Sequence, residues 1–454
     1  MEQANQRADA IKTYLSGLLT EVKEILEKQR VTALEDVSFF FYGTGGVRTL
    51  SPGEKTELHD VVNAVIKDDG FGDLKNERLD IDGTTEAKFG WVAANYSQGY
   101  PVSDYRVYVE MGGASAQITI PVPLYQGGAL ANEKGRAETV FETAIQKFHD
   151  AAEGPEKEKL HWEVQAASVY IEALGNHTTQ IDFAKDRAND INRGVHKRVA
   201  KVEQIGERTV FLASFPMGVN DGYERYKKEL AALVCVPHRY LKGSDVDLCQ
   251  GESEAPTLRD PSRREGYENS INIENEDEWT GIEGTAYQNG GDNDTETLVT
   301  QSVKHAITTF KTTNDDGTIA PGELGVPFER RFRNLLGLNP QVIGASGFWH
   351  NTRLGGDKGY TFDFVAHLQK LKQKRNQPHN SSHDKFYVNN FFAGIWMREV
   401  LKHGFDINPE SVVFTPYNGH NGRLNWTLGA AVLHASPDLT NLGDGIDICC
   451  ERVD

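Results

Sequence analysis

Apolar positions along the chain alternate between helical and strand spacing. Over Met1–Arg30, Ile11, Leu15, Leu18, Leu19, Val22 and Ile25 recur at three- and four-residue steps, which predicts an amphipathic helix. Val37–Phe41 is a short apolar run and reads as a buried strand. It ends at the glycine turn Gly43-Thr44-Gly45-Gly46, with Arg48 just beyond. Ser51-Pro52 opens a second helix to about Asp68, since proline at the first helical position gives up no intrahelical hydrogen bond. A further helix is expected over Glu86–Ser97, with Thr84 or Thr85 as its N-cap. Then come a strand Tyr105–Val109, the turn Gly112-Gly113 and a strand Ala116–Val122, which together predict a hairpin over Val107–Pro121. A helix is expected over Lys134–His149, with α/β material to about Lys242. Val342–Trp349, Phe386–His403 and Leu424–Ala435 return to strand and helix patterns.

Between them, Gly251–Glu329 is rich in Glu, Asp, Asn and Gly and reads as an extended surface insertion. Within it, Asp316, Gly317 and Glu323 match three positions of a calcium-binding loop, but Thr312 stands where an acidic residue should begin it and Pro321 interrupts it. No repeat of solenoid period is present.

Composition narrows the function classes. The chain has 454 residues, 48 Lys+Arg against 66 Asp+Glu, and a formal charge of −18. An acidic chain is a poor match for a nucleic-acid backbone, which is held by clustered Lys and Arg. A small phosphate ligand is still compatible, because backbone N–H groups and one local cation suffice to hold it. There is no run of 18 apolar residues, hence no membrane span, and no signal-peptide pattern over Met1–Arg30. Of the four cysteines, Cys449 and Cys450 are adjacent, while Cys235 and Cys249 could close a disulfide loop. None has the spacing of a thiolate metal site. Asn176, Asn293 and Asn380 lie in sequons, which permits glycosylation if the chain is secreted.

Three blocks carry the candidate chemistry. In Gly43–Arg48 the glycines allow close backbone approach to an anion, and Arg48 adds a fixed cation; Thr44, Gly45, Gly46 and Arg48 are the candidate phosphate-binding residues. Glu86 sits in the first turn of a helix, where the dipole favours the ionised carboxylate that a general base requires. In Glu110–Gln117, Gly112, Gly113 and Ala114 offer consecutive amides to a phosphate. Ser115 and Gln117 alternate onto one strand face, where they can orient a water, and Glu110 is placed to face a metal or its waters.

These blocks, in order and spacing, resemble the second, third and fourth conserved regions of the nucleoside triphosphate diphosphohydrolases, the apyrases. Leu424–Ala430 resembles the fifth, and the resemblance extends from residue 5 to about 435. It implies an α/β fold of two ribonuclease-H-like lobes, actin-like or hexokinase-like, with a cleft between them. The implied lobes are 1–82 with 417–454, and 83–416. The implied activity is divalent-metal-dependent hydrolysis of the terminal phosphate of nucleoside tri- and diphosphates. Glu86 would be the base, Ser115 and Gln117 would position the water, and Glu110 and Trp426 would face Mg2+ or Ca2+ through water or from its outer sphere. Trp349, His350, Tyr387 and Phe391 are the candidate nucleobase contacts. The implied localisation is a secreted or endomembrane-lumenal one if an N-terminal signal is missing, and cytoplasmic otherwise.

The pattern is incomplete. The first conserved region, an Asp-containing glycine loop, has no counterpart, so the first lobe is expected to lack its N-terminal strands. A truncated sequence or a short form with weak or absent catalysis would each account for this. Glu110 stands where the family usually has Asp, and Gly45 where it usually has Ala. A nucleotide-binding protein without turnover is therefore the competing reading, and a phosphatase acting on another phosphoanhydride such as polyphosphate is a third.

Overall fold

The structure is a computed structural model that describes residues 2–48, 50–76, 79–95, 105–122, 128–152, 154–176, 180–192, 199–206, 208–234, 249–250, 257–260, 268–269, 282–284, 300, 332–336, 340–354, 363–375, 390–415 and 426–435. They fall into two compact units, Met1–Glu86 and Ala87–Asp454.

In the first unit, α1 (Glu2–Lys28) packs Leu15 and Leu19 against Val62, Val65 and Ile66 of α3 (Pro52–Asp68). The expected start of α3 holds. Ser51 is extended and caps the Glu54 amide while the Glu54 carboxylate returns to the Ser51 amide, a reciprocal capping box with proline behind it. Val37–Phe41, expected as a strand, does not form a ladder among the described residues. The isolated parallel bridges Phe39↔Leu74 and Gly43↔Asp80 join these segments, and between them the Asn76 side chain bonds the Phe41 N–H and carbonyl at 3.0 and 2.7 Å. Between them lies a short helix, α2 (Gly45–Arg48).

The second unit holds the expected hairpin. Its strands are β1 (Val107–Met111), β2 (Ala116–Pro121), β3 (Ala200–Ile205), β4 (Arg208–Phe215), β5 (Cys249–Gln250), β6 (Thr257–Asp260), β7 (Glu268–Asn269), β8 (Ile282–Gly284), β9 (Val342–Ser346) and β10 (Val412–Phe414). Six of them form one sheet in the order β10-β9-β1-β2-β4-β3, with β1 parallel to β9 and antiparallel to β2. The hairpin is therefore central, and β1 is buried along its whole length. Strands β5–β8 form a small second sheet; β6, β7 and β8 lie inside the stretch expected to be an extended insertion, and β5 lies just before it. Each is two to four residues long, too short for alternation to register in sequence.

Alternation along the central strands divides the core in two. Val107, Val109, Met111, Ala116, Ile118, Ile120, Phe211, Ala213 and Phe215 point into one cluster, with Phe348, Phe391, Phe392 and Trp396. Tyr108, Val210, Leu212, Ile343 and Ala345 point into the other, with Ala87, Trp91, Val92 and Ala94 of α4 (Gly83–Asn95). The helix Trp426–Ala435, from the segment assigned above to the first lobe, packs on α4 as well. A Cβ on Gly429 would lie 1.7 Å from the Phe89 carbonyl oxygen. The helices α5 (Gly128–Asp150), α6 (Pro155–Asn176) and α7 (Gln180–Asn192) lie between β2 and β3 in the chain, and α8 (Val219–Val234) follows β4.

Trp91 and Asn95 set how α4 lies on the sheet. The Trp91 indole N–H donates to the Arg106 carbonyl at 2.9 Å. Asn95 donates to that same carbonyl and to the Trp91 carbonyl, and its oxygen accepts from the Arg106 N–H at 2.8 Å. Both side chains are fully buried and grip the residue just before β1. Asn95→Ala removes three hydrogen bonds in the interior and is expected to lower unfolding free energy by about 2–3 kcal/mol, measured by urea denaturation.

Candidate active site

In the first unit, the structure brings the Gly43–Arg48 block to Glu86. Gly43 is bonded between Leu79 and Ile81, and a Cβ there would strike Val47 at 2.3 Å, so the approach needs glycine. Gly45 is buried, Thr44 half-buried and Gly46 exposed. One Arg48 nitrogen donates both to the Ile81 carbonyl at 3.0 Å and to Glu86 Oε2 at 3.1 Å. Arg48, expected to contact phosphate, thus holds the candidate base. Asp82, not Thr84 or Thr85, caps α4: its carboxylate accepts the Thr85 amide at 2.8 Å and both threonine hydroxyls. Glu86 is 4% exposed. Burial raises its pKa above the usual carboxylate range, and the Arg48 charge and hydrogen bond oppose this only in part.

In the second unit, the Gly112-Gly113 turn is built against the start of α8. The amides of the first turn of a helix have no partner within the helix. Here the Val219 N–H donates to the Gly112 carbonyl at 3.0 Å, and those of Asn220 and Asp221 to the Gly113 carbonyl at 2.8 and 3.3 Å. In a trans peptide the carbonyl and the following N–H point in opposite directions. With both carbonyls turned into α8, the Gly113 and Ala114 amides point away from it on one side, the arrangement a phosphate cradle requires. Gly218 lets the two backbones meet: a Cβ there would lie 2.3 Å from the Gly113 carbonyl and 2.4 Å from the Ala114 nitrogen.

The polar residues of the hairpin share one sheet face. Glu110 pairs in register with Gln117, and Gln117 with Ser214 of β4. The Gln117 amide donates to Ser115 Oγ at 2.8 Å, so those two side chains do meet as expected. Its contact with Ser214 Oγ is longer, 3.4 Å. Glu110 is 3% exposed; its carboxylate accepts the Tyr108 hydroxyl at 2.6 Å and the Ser346 hydroxyl at 2.9 Å. Among the described residues no three His, Cys, Asp or Glu side chains converge as metal ligands. One carboxylate already held by two hydroxyls fits the outer sphere of a hydrated cation better than direct ligation. The Trp426 indole is a donor only and stacks on Phe89 with ring centroids 6.4 Å apart.

The candidate nucleobase residues differ in exposure. On the helix Gly347–Leu354, Trp349 is half-buried against the core and His350 is exposed. Phe391 is a core side chain, 2% exposed, on a helix whose residues are nearly all buried. Tyr387 lies outside the described residues, as do Thr312–Glu323, Asn293, Asn380, Cys235, Cys449 and Cys450. Sequence reasoning missed Tyr108, Ser214, Gly218 and Ser346. Only Gly218 left a trace, as a glycine directly before a helix. Gly218→Ala is expected to displace the turn, lower Tm and weaken pyrophosphate binding in a calorimetric titration. Gly135→Ala, whose Cβ meets open space in α5, is the control that leaves both intact.

Known proteins match this arrangement. Residues 2–149, which contain all three blocks, match the GDA1/CD39 (nucleoside phosphatase) family. The Golgi apyrase of Saccharomyces cerevisiae is 22% identical over 94% of this chain and 60% of its own length. Probable apyrase 7 of Arabidopsis thaliana is 32% identical over 112 residues, 23% of this chain and 15% of that protein. The chain thus spans 60% or less of these curated relatives. A crystal structure of nucleoside triphosphate hydrolases from Neospora caninum superposes with a TM-score of 0.52 at 13% identity, over 96% of this chain and 80% of that one. The mixed α/β, actin-like fold expected from the resemblance is the fold observed. Over residues 2–149 the chain is thus similar to the GDA1/CD39 nucleoside phosphatases.

Proposed function

We propose that this chain hydrolyses the terminal phosphoanhydride of nucleoside tri- and diphosphates, releasing orthophosphate. The observation that carries the reading is Glu86, a buried carboxylate at a helix start, gripped by Arg48, inside the segment matched by the family. Glu86 takes a proton from the attacking water, which Ser115 and Gln117 orient. The water oxygen forms the new bond to phosphorus as the bridging P–O bond breaks, and the electrons leave with the departing phosphate oxygen. The amides of Gly113 and Ala114, and those of Gly45 and Gly46, hold phosphate oxygens. A divalent cation, Mg2+ or Ca2+, would supply charge neutralisation when bound, and Glu110, through the cation's waters, and Trp426 are the residues that would help hold it. Trp349 and His350 are the proposed nucleobase contacts. No helix among the described residues is long and apolar enough to cross a membrane, and the likeness to a Golgi apyrase supports work in the endomembrane lumen or outside the cell.

Glu86→Gln is expected to lower kcat for ATP about a hundred- to ten-thousand-fold in a phosphate-release assay while nucleotide affinity stays near that of the parent. Unchanged turnover would exclude Glu86 as the base. The pH profile gives a second test. The base works ionised, and its pKa lies above the ordinary glutamate range, so the acid limb of kcat lies above that range too. Arg48 favours the ionised form. Arg48→Met therefore moves the acid limb to higher pH.

A further inference from the structure

Two separate features of the second unit converge on one carboxylate oxygen pair, and each breaks a local rule to get there. Ser346 ends β9 with φ of +52°, left-handed backbone that a residue with a Cβ rarely adopts. Directly across the sheet from Glu110 stands Ala345, which is too short and apolar to reach it. The left-handed turn brings the hydroxyl of the next residue, Ser346, to 2.9 Å from Glu110 Oε1. Gly347 follows, where a Cβ would strike the Met111 carbonyl at 2.4 Å, so the chain turns tightly against the end of β1. On the other side, Tyr108 is fully buried and its hydroxyl lies 2.6 Å from Glu110 Oε2. Its ring fits under α4 because Gly90 is there: a Cβ would lie 2.2 Å from the ring. Glycine within a helix is otherwise unfavourable.

We propose that Ser346 and Tyr108 are positioning residues: together they clamp the Glu110 carboxylate, one hydroxyl to each oxygen, in the orientation that accepts the water shell of the nucleotide-bound divalent cation. The proposal rests on the phosphohydrolase reading. It concerns Glu110 alone. A carboxylate accepts about four hydrogen bonds, so the two hydroxyls hold it without exhausting it. Hydroxyl donors bring no positive charge to the carboxylate, whereas a lysine or arginine in their position would.

A purely structural role is separable from this one. Ser346→Gly removes the hydroxyl and suits the left-handed backbone, so the fold keeps or gains Tm. Tyr108→Phe removes the other hydroxyl at nearly constant volume. The experiment measures Mn2+ affinity by electron paramagnetic resonance in the complex with a non-hydrolysable ATP analogue, beside Tm and phosphate release with Mg2+. Each variant is expected to weaken Mn2+ about tenfold or more, with analogue affinity in EDTA unchanged. Mn2+ affinity within about twofold of the parent in both variants overturns the proposal, and so does a parent complex that binds no Mn2+. A parent that binds Mn2+ and nucleotide but releases no phosphate overturns the hydrolase reading instead, and the clamp then stands or falls on the variants' Mn2+ affinities.

Discussion

The seating of α8 on the Gly112-Gly113 turn is the contact on which the second unit's candidate phosphate site depends. A helix start needs acceptors for its first amides, and a phosphate cradle needs amides with their carbonyls turned elsewhere. Here each supplies what the other lacks: Val219, Asn220 and Asp221 donate to Gly112 and Gly113. The contact admits no side chain at Gly218, and little at Gly113, where a Cβ would lie 2.8 Å from the Asn220 side-chain nitrogen. The turn is rigid because both its peptide planes are anchored from behind.

Around that turn, the interior of the sheet carries polar groups where apolar ones would be cheaper. Glu110, Gln117, Thr119 and Ser214 are all buried. All four lie on the α4 side of the sheet, while the opposite face of the same strands is apolar apart from Thr209 near the start of β4. Burying such groups is costly without partners, and each makes at least one contact: Tyr108 and Ser346 for Glu110, Ser115 and Ser214 for the Gln117 amide nitrogen, the Ala87 carbonyl for Thr119. Their confinement to one face marks a site rather than a badly built core. In the first unit the same logic holds Glu86: an interior carboxylate is retained because Arg48 meets it.

Much of this was legible in advance. The helices α1 and α3 and the central hairpin appear within a few residues of their expected bounds, because local periodicity and capping chemistry set them. That Ser115 and Gln117 share one face followed from strand alternation; that they bond each other did not. What misled was context. Val37–Phe41 has the composition of a strand but pairs only through single bridges among the described residues. Phe391 has the chemistry of a base-stacking ring but lies on a helix buried on nearly every side. The Asp82 cap lay two and three residues upstream of the threonines expected to fill that role, and it takes both of them as donors.

The sequence by itself determined the order of the chemical blocks, the hairpin with its paired glycines, and the likeness to the nucleoside phosphatases over residues 2–149, because each is a matter of residue type at short spacing. Tertiary structure alone decided which groups meet. Arg48 reaches Glu86 across 38 positions, Ser346 reaches Glu110 across 236, and Gly218 meets a turn more than a hundred residues before it. Such contacts depend on sheet order and on a left-handed backbone at one serine, and neither is written in local periodicity. The glycines at 90 and 218 show the same division: their presence is plain in sequence, but the ring and the peptide that require them are visible only once the chain is folded.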